Sequence, residues 1–219
     1  VFSLSDVIIF GGHGRVALHL ARLLSERGYR VTSVFRNPDH TDEVDATGAR
    51  PVVGDIETLG VDQLADLIAG NAAVVFCAGA GGGDPARTYA VDRDAAIRVI
   101  DATAEAGTRR FVMVSYFGAG ADHGVPEGDS FFPYAQAKAA ADAHLRAGNL
   151  DWTILGPGPL TADPATGQIA TGPDAAGGRV SREDVARVIA AVLEDRQTVK
   201  RTIEFNNGAT PITDAVRER

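Results

Sequence analysis

Val7-Ile8-Ile9-Phe10-Gly11-Gly12-His13-Gly14-Arg15-Val16-Ala17 decides the fold. Four consecutive apolar residues read as a short strand. Arg15 to Arg27 then carries Val16, Leu20, Leu23 and Leu24 at helical spacing, with Gly28 as the stop. Glycines between strand and helix answer two needs: the chain must turn sharply, and a backbone without Cβ atoms lets a pyrophosphate approach. The following helix offers free N–H groups and the positive end of its dipole. Ala17 keeps a small residue where helix and strand pack. In this strand–turn–helix setting the glycine turn predicts a dinucleotide site. His13 reads as a solvent-facing turn residue and Arg15 as a neighbour of a phosphate.

Outward from this turn, strands and helices alternate. Val31–Phe35, Pro51–Val53, Ala73–Cys77, Phe111–Val114, Trp152–Leu155 and Ile203–Phe205 read as further strands. Val61–Ile68, Asp92–Glu105, Tyr134–Ala147 and a helix opened by Ser181 lie between them, with Asp184 completing a variant capping arrangement at Ser181. Repeated strand–helix–strand units imply right-handed crossovers, and strands apolar on both faces imply helices on both sides. The expected fold is α/β: a Rossmann-type doubly wound parallel sheet with helices on both faces, as one domain over 1–219. The Gly-, Pro-, Ala- and Thr-rich stretch of about 156–180 follows a strand's C-terminal end, where open α/β sheets bind ligands. It reads as a substrate-side loop or small cap, or else as a surface excursion.

Arg36 ends the second strand, roughly 20 residues past Gly14, where an NAD-selective site would place an acid on the ribose 2′-OH. A guanidinium there suits a 2′-phosphate, so the expected cofactor is NADP(H), with NAD(H) as the alternative. Asn37 stands beside it. The net charge of −8 argues against a nucleic-acid surface. No apolar run is long enough for a membrane span. Val1–Asp6 lacks the basic and apolar regions of a signal peptide, and the single cysteine forbids an internal disulfide, so a cytoplasmic location is expected. Cys77 reads as a small core residue, and the five histidines show no metal-ligand spacing.

Several further segments, taken with the glycine turn, resemble the atypical and extended short-chain dehydrogenases/reductases, and most nearly the small NAD(P)H-binding group with biliverdin/flavin reductase-like members. Gly11 to Ala17 looks like that family's G-x-x-G-x-x-G/A turn, and Val53-Gly54-Asp55 like its adenine-side acid. Phe76-Cys77-Ala78-Gly79-Ala80 resembles its fourth-strand cap, and Arg110 to Ser115 its fifth strand. Tyr134-Ala135-Gln136-Ala137-Lys138 matches Y-x-x-x-K. The resemblance implies a catalytic Ser115, Tyr134 and Lys138, with Lys138 also holding the nicotinamide ribose. It implies a cofactor site of Gly11, Gly12, His13, Gly14, Arg15, Val16, Arg36, Asp55, Ile56, Ala78, Gly79 and Ala80. Tyr134 and Lys138 share a helix face, and a nearby ammonium is expected to lower the tyrosine pKa. Two departures stand out: Gly156 precedes Pro157 where the family often has Arg, and the fourth-strand cap lacks its usual Asn.

The chain is therefore expected to be an NADP(H)-dependent oxidoreductase acting on a small carbonyl, quinone or flavin-like molecule. The alternatives are a cofactor-binding sensor without turnover and a sugar-nucleotide-type epimerase. A small-molecule partner, no nucleic acid or membrane, and a monomer or homodimer complete the expectation. Tyr116 and Phe117 either line the pocket or pack; Glu127 and Asp129 read as a solvated loop.

Overall fold

The first strand, β1 (Asp6–Phe10), shows how the sheet is covered. Val7 and Ile9 enter one core with helices α1 (Arg15–Glu26), α7 (Arg182–Glu194) and α8 (Ile212–Ala215). Ile8 and Phe10 enter a second core with α3 (Val61–Ile68), α5 (Ala96–Glu105) and α6 (Phe132–Ala147). Alternate residues of one strand thus feed opposite layers, as a doubly covered sheet requires. The protein is described by a computed structural model over residues 5–218. The reading of residues 1–4 as no signal peptide lies outside the described residues. No helix among them is long and apolar enough to cross a membrane.

The remaining strands are β2 (Arg30–Phe35), β3 (Arg50–Val53), β4 (Ala73–Phe76), β5 (Arg110–Val114), β6 (Asp151–Pro157), β7 (Leu160–Thr161), β8 (Gln168–Thr171), β9 (Val180–Ser181), β10 (Arg201–Asn207) and β11 (Thr210–Pro211). Eight of them join β1 in one nine-stranded sheet in the order β11-β8-β10-β6-β5-β4-β1-β2-β3. β3 through β6 and β10 run parallel, while β8 pairs antiparallel with β10. The fold is Rossmann-like. Strand order reverses between β1 and β4, which opens a crevice at their C-terminal ends.

Two segments differ from the sequence reading. The stretch of about 156–180 carries β7, β8 and β9, and its β8 joins the main sheet. These strands are two to four residues long, too short for a period to show. The stretch anticipated as one helix from Asp92 begins earlier, with α4 (Pro85–Thr88), then a π-helical turn over Tyr89–Ala95, then α5. A short helix α2 (Thr41–Asp45) follows β2. Ser181 caps α7, accepting a hydrogen bond from Asp184 N–H at 3.0 Å. Buried Asp184 in turn accepts from the N–H groups of Thr166 and Gly167, each at 2.9 Å, and so ties the β7–β8 connection to α7.

Candidate functional site

The glycine turn is wedged between two neighbouring strand ends. Gly11 has φ +83°, and a Cβ there would lie 2.6 Å from the backbone of Ala78, beyond β4. A Cβ on Gly12 would lie 2.6 Å from Ser33 Cβ on β2. Gly12 N–H donates to Val34 O at 2.8 Å, and Gly14 N–H to Gly11 O at 2.8 Å, which closes the turn. Gly14 is the N-cap of α1 and gives it no side-chain cap, so the first-turn N–H groups are left for a ligand.

A cleft of ≈ 590 Å³ opens above this turn. At the β2 and β3 ends it is lined by Arg36, Asn37, His40, Asp55, Ile56 and Glu57. In its middle are Gly11, His13, Gly14, Arg15 and Val16, then Cys77, Ala78 and Gly79. Arg87, Tyr134, Leu160 and Arg182 also line it. Narrow approach at glycine, free helix N–H groups and a long cleft across the switch point fit a dinucleotide.

Glu57 was not visible as a partner of Arg36. It lies on the turn after β3 and accepts from Arg36 Nη1 and Arg87 Nε, both at 3.2 Å. The reading of an acid-free end therefore holds for the strand and fails for the space around it. His13 is not simply solvent-facing: its ring stacks on His40 with centroids 3.6 Å apart, and its Nε2 lies 2.6 Å from Glu43 Oε2.

The expected catalytic residues sit at different depths. Tyr134 lines the cleft, in an aromatic cluster with Tyr116 (centroids 5.5 Å) and Phe131 (5.2 Å). Gly12, Ala80, Ser115 and Lys138 do not line it. Lys138 is 1% exposed, with Nζ 3.8 Å from Asp92 Oδ1. Asp92 Oδ2 also accepts from the N–H of Ala80, one of the residues expected at the cofactor, at 3.0 Å. The Ser115 hydroxyl donates to Asp142 Oδ2 at 2.6 Å, with both residues buried. Asp92 and Asp142 were missed, although Asp142 lies one helical turn beyond Lys138 on the face of Tyr134.

The tyrosine pKa moves opposite to the sequence expectation. Burial pushes the Tyr134 phenol above its ordinary value; Lys138 pulls it down, while Asp92 and Asp142 push it further up. One ammonium is outweighed by desolvation and two carboxylates. Burial likewise raises both Asp92 and Asp142, against the pull of Lys138. Burial lifts the Cys77 thiol to about 12, which marks an unreactive residue. Gly156 also has a local reason: a Cβ there would meet Glu204 Cγ and Tyr116 O at 3.0 Å. Glu204 thus crowds the start of any side chain at position 156, and accepts from Gly118 N–H at 2.7 Å.

A family model described as NAD(P)H-binding matches residues 11–196. The chain belongs to that family. That family fits the resemblance to the atypical short-chain dehydrogenases/reductases read from the sequence. A Bacillus subtilis protein named uncharacterized sugar epimerase YhfK is 32% identical over 214 residues, covering 97% of this chain and 99% of its own. Among solved structures, a Bacillus halodurans protein described as an NAD-dependent epimerase/dehydratase has a TM-score of 0.88 at 33% identity, covering 97% and 98% of the two chains. The Lactococcus lactis oxidoreductase ylbE has a TM-score of 0.86 at 27% identity, covering 96% and 94%.

Proposed function

We propose that the protein is an NADP(H)-dependent reductase of a small carbonyl, quinone or flavin-like substrate, with Tyr134 as the proton donor. The observation that carries this reading is the tyrosine of the Y-x-x-x-K pair lining the cofactor cleft, with Lys138 buried one helical turn on. Such a group keeps its proton at neutral pH and serves as an acid. When bound, the dinucleotide supplies the hydride. The α1 N-terminus and Arg15 would hold its pyrophosphate, and Asp55 and Ile56 its adenine side. Arg36, with Arg87 beside the shared Glu57, would take the 2′-phosphate. Tyr134 Oη delivers a proton to the substrate oxygen, and Lys138, one turn on and buried behind it, sets the local charge.

The epimerase name of the Bacillus subtilis relative supports a second reading, in which cofactor is regenerated each turn and none is consumed. The test is loss of NADPH absorbance against a panel of carbonyls, quinones and flavins. Stoichiometric consumption supports the reductase. Tyr134→Phe should lower kcat by roughly 10²–10⁴-fold while NADPH affinity is kept. Tight NADPH binding with turnover of nothing would favour a sensor.

A further inference from the structure

Behind Tyr134 lies a buried charge cluster that the reductase reading leaves partly idle. Asp92, Lys138 and Asp142 are each at most 1% exposed, and Ser115 joins them at 4%. Two carboxylates face one ammonium, so full ionisation would leave a net negative charge in a dry site, which burial opposes. The two acids are not equally supported. Asp92 has the Lys138 ammonium at 3.8 Å and the Ala80 N–H at 3.0 Å. Asp142 accepts from the Ser115 hydroxyl at 2.6 Å and has no ammonium or guanidinium within 4 Å among the described residues; each acid keeps one oxygen, Oδ1, buried without a hydrogen-bond partner, so the close ammonium is what separates them. Asp92 is thus the better-stabilised anion, and Asp142 the better place for a proton.

The consequence falls on Ser115. A serine hydroxyl has one proton to donate. While Asp142 is a carboxylate it takes that proton, and Ser115 has none for a substrate oxygen. We propose that Asp142 is a positioning residue that carries the cluster's proton: its protonation reverses the bond, so that the carboxylic acid donates to Ser115 Oγ and the serine hydroxyl is freed to donate. Ser115 follows β5 immediately before Tyr116, whose ring packs on that of the cleft-lining Tyr134, and it is the reductase reading that puts a substrate oxygen within reach of the freed hydroxyl. No bond to carbon is made or broken in this step; one proton moves onto Asp142 from water, and one hydrogen bond changes direction. The charged and titratable groups acting on Asp142 are Lys138 on its own helix, Arg146 one turn on, and Ser115 from β5; Tyr134 and Tyr116 sense its charge in turn. Asp92 reaches the cluster through Lys138. Burial dominates the upward direction of the Asp142 pKa, against Ser115, Lys138 and Arg146.

This inference rests on the reductase reading for its purpose, and its first test does not use turnover. Infrared titration of the intact protein should show a protonated carboxyl band at neutral pH that disappears on raising the pH. The band should be absent in Asp142→Asn and shifted in frequency in Ser115→Ala. In turnover, the wild type should decline over the pH range in which the band is lost. Asp142→Asn, whose amide donates permanently to Ser115, should lack that alkaline decline. A band that Asp142→Asn does not remove, or a variant that declines as the wild type does, overturns the proposal. A protein that shows the Asp142 band and reduces nothing in the panel contradicts the reductase reading alone, because the band and its Ser115→Ala shift are read without substrate.

Discussion

Replacing Gly11 with Ala tests the glycine turn, and its cost can be worked out from geometry. Gly11 has φ +83°, a region that costs an L-residue roughly 1–2 kcal/mol. The new Cβ would also lie 2.6 Å from Ala78 Cα and N and 2.9 Å from Cys77 C, all backbone atoms that cannot rotate away. Overpacking of this kind adds about 1–3 kcal/mol. The sum, about 2–5 kcal/mol, lowers Tm by roughly 4–20 °C for a chain of this size. Gly28 provides the control. It has φ +84° with nothing within 4 Å of an added Cβ, so Gly28→Ala carries the conformational cost alone. Thermal or urea unfolding of both variants, with NADPH titration by fluorescence, separates the two contributions. Gly11→Ala should be the less stable by the contact term and should lose cofactor affinity, because Ala78 and the turn both line the cleft. Gly28→Ala should bind as the wild type. Equal stability losses, or unchanged NADPH affinity in Gly11→Ala, would refute the packing argument.

Arg36→Ala should weaken NADPH binding roughly 10–150-fold, the worth of a charged hydrogen bond of about 1.5–3 kcal/mol, and NADH binding little; equal losses for both cofactors would count against the 2′-phosphate reading. Glu57→Gln should tighten NADPH, because the carboxylate that now occupies Arg36 and Arg87 would repel a phosphate, as parallel titrations of both cofactors would reveal. Ser181→Ala removes the N-cap of α7 and should cost about 1 kcal/mol in urea unfolding. Asp142 and Asp92 bind protons more tightly folded than unfolded, so stability should fall as pH rises from the ordinary carboxylate range through their raised values. Asp142→Asn should flatten part of that fall in unfolding curves measured across pH.

Much of this architecture is legible in the sequence because the parallel strands are continuous apolar runs and the helices keep one apolar face. Val61–Ile68 coincides with α3 residue for residue, and the glycine turn is local in sequence. What was not legible depends on contacts between distant segments. Glu57 meets Arg36 only because β3 lies beside β2 in register. Asp142 meets Ser115 only because α6 packs over the end of β5. The direction of the Tyr134 shift needed burial and two remote carboxylates, none of which the Tyr134–Lys138 spacing contains. The β7–β9 pair is too short to leave a period, and the β7–β8 connection is tied to α7 through the buried carboxylate of Asp184, far along the chain from it.

The most direct test of the central claim is the fate of the hydride. NADPH carrying deuterium at the transferable C4 position would be incubated with each substrate of the panel and the protein, and the product analysed by mass spectrometry. The account predicts deuterium bound to the reduced atom of one product class, one label per NADPH consumed, with the signal reduced in Tyr134→Phe while NADPH still binds. NADPH bound tightly, with no deuterium in any product and none consumed, would contradict it.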